Sequence, residues 1–478
     1  MNTHVSQVFV DLDGSLIRTD MLLEAALKLL KRNPLNIFRL AMWAVQGRAL
    51  LKTRLAETVE IDYAALPYEA DVVEHLKAMK ADGARIVLAT ASPRVFAEGV
   101  AAHLPLFDDV LATEPGVNLK GVNKLKAIQE SAGEAAFAYV GDSPADRPIW
   151  RAASSEILVN ASRNDVRRAK SQDKPSNVIQ TRPSVFKSFL KEMRVHQWAK
   201  NVLVFVPLFT SHSYYDLGAV FACLVAFASF SLCASGVYFF NDLLDLEADR
   251  KHKTKWRRPL ASGDLPISLG VIGAVALPVA AFALALVFAP LAFVAVLCVY
   301  FIMTNAYSFY LKAKSTADVM TLAILYTLRV VAGAAAIGVA LSSWLLGFSI
   351  FVFVSLAYLK RYIEIAGLDE GGEKAAGRGY SGADTETMFV LGASNMTAAV
   401  LVLALYVNSE EITGTYQSPI LLWGLCLLML YWGNRIWIGA RRGRISDDPV
   451  VFAIKDNISR LVGLAFGGIV LAARYFSF

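Results

Sequence analysis

Apolar and polar positions change rhythm near residue 195. Before it, short apolar runs at 8–10, 86–89 and 137–140 alternate with mixed charged and apolar stretches. This pattern predicts a globular domain with a parallel sheet and covering helices. After it, apolar runs of membrane length follow one another. About nine spans are expected, near 195–211, 217–240, 267–288, 290–311, 318–339, 343–363, 386–406, 418–439 and 458–476. Residues 21–70 read as helical, a small cap inside the first domain. Within it, residues 35–45 are apolar but too short to span a bilayer. They are expected to form the cap's own packing seam, with contact to membrane or lipid as the rival reading.

The connections between spans alternate in charge. One set carries Arg250, Lys251, Lys253, Lys255, Arg257 and Arg258, then Lys312 and Lys314, then Lys360, Arg361, Lys374 and Arg378, then Arg441, Arg442, Arg444 and Lys455. The opposite set (211–217, about 288–290, 340–342 and 407–418) has no Lys or Arg. By the positive-inside rule the basic loops are cytoplasmic and Phe478 is outside. Residues 1–7 run straight into a strand without a charged-then-apolar leader, so the N-terminal domain is expected to stay in the cytosol.

Composition agrees: 478 residues, 55% hydrophobic, mean hydropathy +0.45. That is too apolar for an ordinary soluble chain. The net charge of +6 follows the loops, and no nucleic-acid partner is expected. Cys223, Cys233, Cys298 and Cys426 lie in apolar stretches without metal-type spacing and read as packing. Expected domains are 1–160, with a cap at about 21–70; a basic linker at 161–192; and a membrane domain at 193–478. Inside the linker, Val185, Phe186, Phe189, Leu190 and Met193 recur at helical spacing. They suggest an interfacial helix, with a solvated linker equally open.

Two constellations carry chemistry. Residues 241–249 read Asn-Asp-Leu-Leu-Asp-Leu-Glu-Ala-Asp, at the mouth of an apolar span. On a helix, Asn241, Asp242, Asp245 and Asp249 share one oxygen-rich face. Acids there repel one another and need a counter-ion, and oxygen-only ligands suit Mg²⁺ shared with a diphosphate. In the first domain, three strand ends offer Asp11-Leu12-Asp13-Gly14, Thr90-Ala91-Ser92 and Asp142, with Asp146 four residues on. Carboxyl ends of parallel strands are where open α/β sheets place ligands.

The second set, over about residues 5–160, resembles the haloacid dehalogenase superfamily of phosphatases. The resemblance implies a Rossmann-like α/β fold, with Asp11 as nucleophile and Asp13 as acid/base. It further implies Thr90 as phosphate-binding hydroxyl and Lys120 as charge-neutralising lysine, with Lys124 its rival. Asp142 and Asp146, joined by Asp11 and Asp13, would hold Mg²⁺. The 241–249 motif, the spans and the basic loops resemble UbiA-type intramembrane prenyltransferases over about 190–478, an all-α membrane bundle. The second acidic site departs from that pattern, because Leu322 stands four residues after Asp318. Residues 194–201 and 360–364 are similar to the branch of decaprenyl-phosphate phosphoribosyltransferases. That branch implies phosphoribosyl pyrophosphate as donor, a polyprenyl phosphate as acceptor, and Mg²⁺ held by Asp242, Asp245 and Asp249 beside Asn241 and Asp318. Arg257, Arg258, Lys312, Lys360 and Lys200 are candidate phosphate-binding cations, each with an alternative as a topology residue. Arg329 lies mid-span, where a cation is costly unless it faces a polar cavity or an ion pair.

The expected function is therefore bifunctional: 5-phosphoribose transfer to a polyprenyl phosphate, then removal of the 5-phosphate. Both sites are expected on the cytoplasmic side of the inner membrane, and the oligomeric state is left open. The rivals are an aromatic prenyltransferase with a fused phosphatase, and a transferase whose soluble domain is a non-catalytic scaffold.

Overall fold

The computed structural model describes residues 5–114, 119–366, 379–414, 416–445 and 448–476; Lys374, Arg378 and Phe478 lie outside them. Six strands form one parallel sheet: β1 (Gln7–Val10), β2 (Arg85–Pro93), β3 (Asp109–Thr113), β4 (Phe137–Gly141), β5 (Ser155–Val159) and β6 (Ser176–Ile179). Their order is β3-β2-β1-β4-β5-β6. Central β1 is apolar on both faces because both are covered. Val8 and Val10 join one core with Leu88 and Val140, and Phe9 joins the other with Val87 and Tyr139. Strand order reverses about β1, so the carboxyl ends of β1 and β4 flank a switch point.

Helices α1 (Met21–Arg32), α2 (Asn36–Gln46) and α3 (Arg48–Thr58) make the cap, and Asp20 caps α1 by accepting from the Leu23 N–H. Helices α4 (Ala70–Ala81), α5 (Arg94–His103), α6 (Val122–Ala132), α7 (Arg147–Ala152) and α8 (Arg163–Lys170) surround the sheet. The expected linker at 161–192 is corrected by α8 and β6, which extend the α/β domain to Ile179. Its cations are used internally: Arg168 and Lys174 reach fully buried Glu156 at 3.0 and 2.9 Å. A buried carboxylate requires such partners. The remainder forms α9 (Val185–Glu192), which exposes Val185, Phe186 and Leu190. The expected packing seam at 35–45 is also corrected. Leu40 and Trp43 face the cap core, but Leu35, Ile37, Phe38, Met42 and Val45 are exposed.

In the second half, residues 195–211 form a 3₁₀ segment (Val195–Phe205) and the short α10 (Val206–Thr210), neither of membrane length. Among the described residues, eight helices are long and apolar enough to cross a membrane, rather than about nine. The first is α11 (Leu217–Leu244), followed by the short α12 (Leu246–Lys251) and α13 (Pro259–Ser262). The next four are α14 (Ile267–Phe288), α15 (Leu291–Phe309), α16 (Ser315–Ile337) and α17 (Ser343–Ile365). The last three are α18 (Thr385–Val407), α20 (Trp423–Arg441) and α22 (Asn457–Tyr475), interleaved with the short α19 (Glu410–Thr413) and α21 (Pro449–Lys455). Gly236 lets α11 approach α14, since a Cβ there would lie 2.3 Å from Pro278 Cδ. Two compact units result: residues 1–193 with 238–275, and residues 194–237 with 276–478. The aspartate segment thus belongs to the unit of the α/β domain.

Leu88 is fully buried in the sheet core. Leu88→Ala should cost about 2–5 kcal/mol and lower the midpoint of thermal unfolding of the N-terminal domain by about 5–15 °C. An unchanged midpoint in the full-length protein would contradict this core assignment.

Candidate active sites

At the switch point, one carboxylate oxygen each from Asp11, Asp142 and Asp146 lies within 4.8 Å of the others. Asp11 follows β1, tied by its N–H to the Val140 carbonyl at 2.9 Å. Gly14 (φ +84°) permits the turn, because a Cβ would lie 2.2 Å from Asp142 Oδ2. Burial and the neighbouring acids Asp11 and Asp146 push the Asp142 carboxyl up to about 8. Burial raises Asp11 to about 6, although Lys124 opposes the shift. Crowded oxygen donors of this kind fit a hard divalent cation such as Mg²⁺.

Lys124, rather than Lys120, meets Asp11. It sits in the first turn of α6, buried, and its Nζ donates to Asp11 Oδ1 at 2.7 Å and to the Tyr139 hydroxyl at 3.0 Å. That hydroxyl donates to Asp146 at 2.8 Å, so one lysine serves two acids. Lys120 precedes the helix and is exposed. Burial works against the charge on Lys124, but Asp11 and Asp146 outweigh it and raise its pKa.

Asp13, also expected among the metal-binding side chains, is not one of the three acids so grouped. It accepts from the Met21 N–H at 2.8 Å and the Ser92 hydroxyl at 2.6 Å. Burial and nearby Asp20 raise it to about 7, so a protonated fraction remains near neutral pH, which suits a general acid. Thr90 is fully buried at the end of β2, and its Oγ1 accepts from the Ser92 N–H at 3.0 Å. The motifs did not point to Lys52, which extends from α3 to the Ala91 carbonyl at 2.6 Å. Only its position in the cap could have suggested it.

The aspartate segment is not one continuous helical face. α11 ends at Leu244, Asp245 forms a break, and α12 begins at Leu246. Asp242 and Asp249 are buried and share Arg258, whose Nη1 lies 3.0 and 2.6 Å from them. Burial pushes Asp249 up despite that arginine. Asp245 pairs with Lys31 of α1 at 3.2 Å, and Asn241 is half-buried one turn earlier. Further pairs join the same helices: Lys28–Glu247 at 2.8 Å and buried Arg250–Glu24 at 2.5 Å. Carboxylates held apart by cations suit a site that takes Mg²⁺ with a diphosphate. Arg257 is exposed over the Trp256 ring, with its guanidinium 5.1 Å from the centroid.

In the second unit, Asp318 is fully buried and bonded to Arg361 and the Tyr307 hydroxyl, the latter at 2.8 Å; Arg361 also pairs with Glu364. Lys312 is half-buried on the turn before α16. Lys200 and Lys360 converge on Asp448 at 2.7 and 3.1 Å. Burial opposes the charge on Asp448, yet Lys360 and Lys200 hold its carboxyl well below the usual range. Arg329 donates to Asn201 at 2.8 Å and Tyr300 at 3.2 Å, and stacks over Tyr300 and Tyr326. Among the described residues it has no carboxylate partner. Lys200 stands over the same Tyr326 ring at 5.9 Å, so three cations gather around one tyrosine and one acid. Asp448 was not singled out in the sequence; its only signal is an acid before Pro449 in a basic loop.

In the full-length protein, Lys124→Ala should lower p-nitrophenyl phosphate hydrolysis by about 100-fold or more, whereas Lys120→Ala should stay within about threefold. The opposite ranking in steady-state kinetics would return the role to Lys120.

Residues 202–454 match the UbiA prenyltransferase family, and residues 8–151 match the haloacid dehalogenase-like hydrolases. An uncharacterized protein, y4nM, of Sinorhizobium fredii is 35% identical over 458 residues, covering 95% of this chain and 88% of its own. The decaprenyl-phosphate phosphoribosyltransferase of Mycobacterium tuberculosis is 32% identical over 304 residues, covering 63% of this chain and 98% of its own. The solved structure of a UbiA homolog from Archaeoglobus fulgidus, bound to GPP and Mg2+, aligns with TM-score 0.45 and 15% identity over 60% of this chain and 100% of its own. The chain belongs to the UbiA prenyltransferase family, as a transferase domain fused to an N-terminal haloacid dehalogenase-like hydrolase domain.

Proposed function

We propose that the chain transfers 5-phosphoribose from phosphoribosyl pyrophosphate to a polyprenyl phosphate and then removes the 5-phosphate. The observation that carries this reading is how the second unit uses its charges. Asp318 is committed to Arg361 and Tyr307, and Leu322 stands where a second acid would be. Lys200, Lys360 and Arg329 gather instead, which suits phosphate groups better than a second metal–diphosphate site. An aromatic prenyl acceptor needs no such cations. Similarity to the mycobacterial phosphoribosyltransferase supports the same choice.

In the transfer step, a lipid phosphate oxygen bonds to the anomeric carbon as the bond to the diphosphate oxygen breaks, and the electron pair leaves with the diphosphate. Mg²⁺ at Asp242, Asp245 and Asp249 would offset charge on that leaving group. Arg258 adds a cation between two of these acids. An apolar cavity of about 740 Å³, walled by Phe209, Trp344, Phe348, Tyr416 and Phe466, offers room for an isoprenoid tail. A second cavity of about 300 Å³ shares Val206, Leu345, Phe348 and Phe466 with it. In the hydrolytic step, Asp11 attacks phosphorus and Asp13 protonates the departing sugar oxygen. Water then bonds to phosphorus as its bond to the Asp11 oxygen breaks, the water proton passing to Asp13, with Lys124 beside Asp11. Asp11, Asp142 and Asp146 would hold Mg²⁺, which would offset charge on the phosphoryl group.

The charge pattern supports a cytoplasmic hydrolase domain and cytoplasmic basic loops. At about 2.0 Å per residue for a 3₁₀ helix and 1.5 Å for an α-helix, residues 195–210 reach about 30 Å. Although neither segment has membrane length alone, the two together would let the chain cross beside the eight long helices, which would put the C-terminus outside. Cysteines placed at Ser213 and Ser409 should then react with an impermeant reagent from outside, and one at Ser262 only after permeabilisation. A reversed pattern would overturn the orientation.

Mass measurement of the lipid product tests the two-step reading. Asp242→Asn or Asp249→Asn should abolish lipid ribosylation while leaving p-nitrophenyl phosphate hydrolysis intact. Asp11→Asn should accumulate a lipid one phosphate heavier than the wild-type product. If Asp11→Asn and wild type give the same lipid mass, the hydrolase acts on something else.

A further inference from the structure

Helix α2 is apolar on two sides, which a cap helix does not need. Leu40 and Trp43 face the cap core. Leu35, Phe38, Met42 and Val45 form a second stripe at i, i+3, i+7 and i+10, flanked by Ile37, and all five are exposed: 67%, 72%, 51%, 89% and 51%. A continuous apolar surface of this kind marks an interaction site.

Two observations say what covers it. Helix α1, which leads into α2, is fastened to the end of a membrane span: Lys31 pairs with Asp245 directly after α11, and Lys28 pairs with Glu247. The apolar stripe starts only four residues after Lys31, about 14 Å of chain at most, so it begins close to the lysine that pairs just beyond the span. The charge of the segment is also one-sided. Residues 33–48, which hold the stripe, contain Arg39 and Arg48 and no acid; beyond them Lys52 and Arg54 are engaged by the Ala91 carbonyl and Glu57. Eleven residues are too few to span a bilayer but suit an in-plane helix at an anionic surface.

We propose that α2 is an in-plane membrane anchor, seating the hydrolase cap in the headgroup region of the leaflet entered by the 241–249 end of α11. The anchor would bring the Asp11 site to substrates whose phosphate sits on a lipid rather than in solution. That consequence rests on the proposed function; the anchor itself does not.

The test uses the full-length protein with its four native cysteines replaced by alanine, reconstituted in vesicles of phosphatidylglycerol and phosphatidylethanolamine. A fluorophore on Phe38→Cys should be quenched at least threefold more by lipids with a nitroxide on the acyl chain than one on Glu130→Cys of α6. Equal, weak quenching at both positions would overturn the anchor, and would be the result if α2 met a second protein copy. Triple substitution Phe38→Glu, Met42→Glu, Val45→Glu should slow hydrolysis of a vesicle-embedded phosphorylated lipid about tenfold while keeping the p-nitrophenyl phosphate rate within twofold. Strong quenching with no loss on the lipid substrate would leave the anchor standing and count against the lipid-linked substrate. If the triple variant fails to fold, the quenching comparison decides.

Discussion

Among the described residues, three acidic clusters rest on carboxylates largely held out of water and paired with cations. An isolated buried carboxylate is unfavourable, and several together repel, so each group exists only with its partner in position. At the strand ends, Lys124 and the Tyr139 hydroxyl connect Asp11 to Asp146. At the mouth of α11, Arg258 lies between Asp242 and Asp249 while Lys31 draws Asp245 aside. In the second unit, Arg361 neutralises Asp318, and Asp448 takes two lysines. The same repulsion that makes these clusters costly for folding makes the first two receptive to a divalent cation.

The pairing also explains why the aspartate segment packs with the hydrolase domain. The polar residues of 245–251 divide between two sides. Asp249 turns to Arg258, whereas Asp245, Glu247 and Arg250 turn to Lys31, Lys28 and Glu24 of α1. The other end of α1 donates its Met21 N–H to Asp13. One helix of twelve residues, about 18 Å long, therefore touches Asp13, the proposed acid/base, at one end and Asp245, a proposed Mg²⁺ ligand, at the other. Exposed pairs such as Lys31–Asp245 add little stability alone. The buried Arg250–Glu24 pair, with Thr19 donating to Glu24 at 2.6 Å, supplies the geometric constraint.

Much of this was legible in the sequence because it rests on short-range periodicity. Strands ending in Asp11, Thr90 and Asp142 and apolar runs of bilayer length are local patterns. What was not legible depends on long-range contact. Lys120 and Lys124 differ by about one helical turn, and only the start of α6 after Gly121 decides which reaches Asp11. Arg168 and Lys174 read as linker charge because their partner, Glu156, is hidden inside a strand. Asp448 needed lysines more than eighty residues away to become visible. Residues 35–45 read as a seam because an apolar helix has the same pattern whether a protein core or a lipid covers it.

That last ambiguity has a physical root. A membrane enzyme has two apolar solvents available to its side chains, the protein interior and the bilayer, and the hydrophobic pattern does not distinguish them. Polar groups do, because they are placed by where water and charge are. Along 33–48 the absence of acids, and at 28–31 the lysines tied to the end of α11, favour the bilayer for the exposed side of α2. The same reasoning applies to α9, whose exposed Val185, Phe186 and Leu190 accompany Lys187 and Lys191, with Phe189 against Phe239 of α11. Helix α1, which leads into α2, and helix α9 both contact the segment at the end of α11, so the hydrolase domain has two attachments there besides the chain itself.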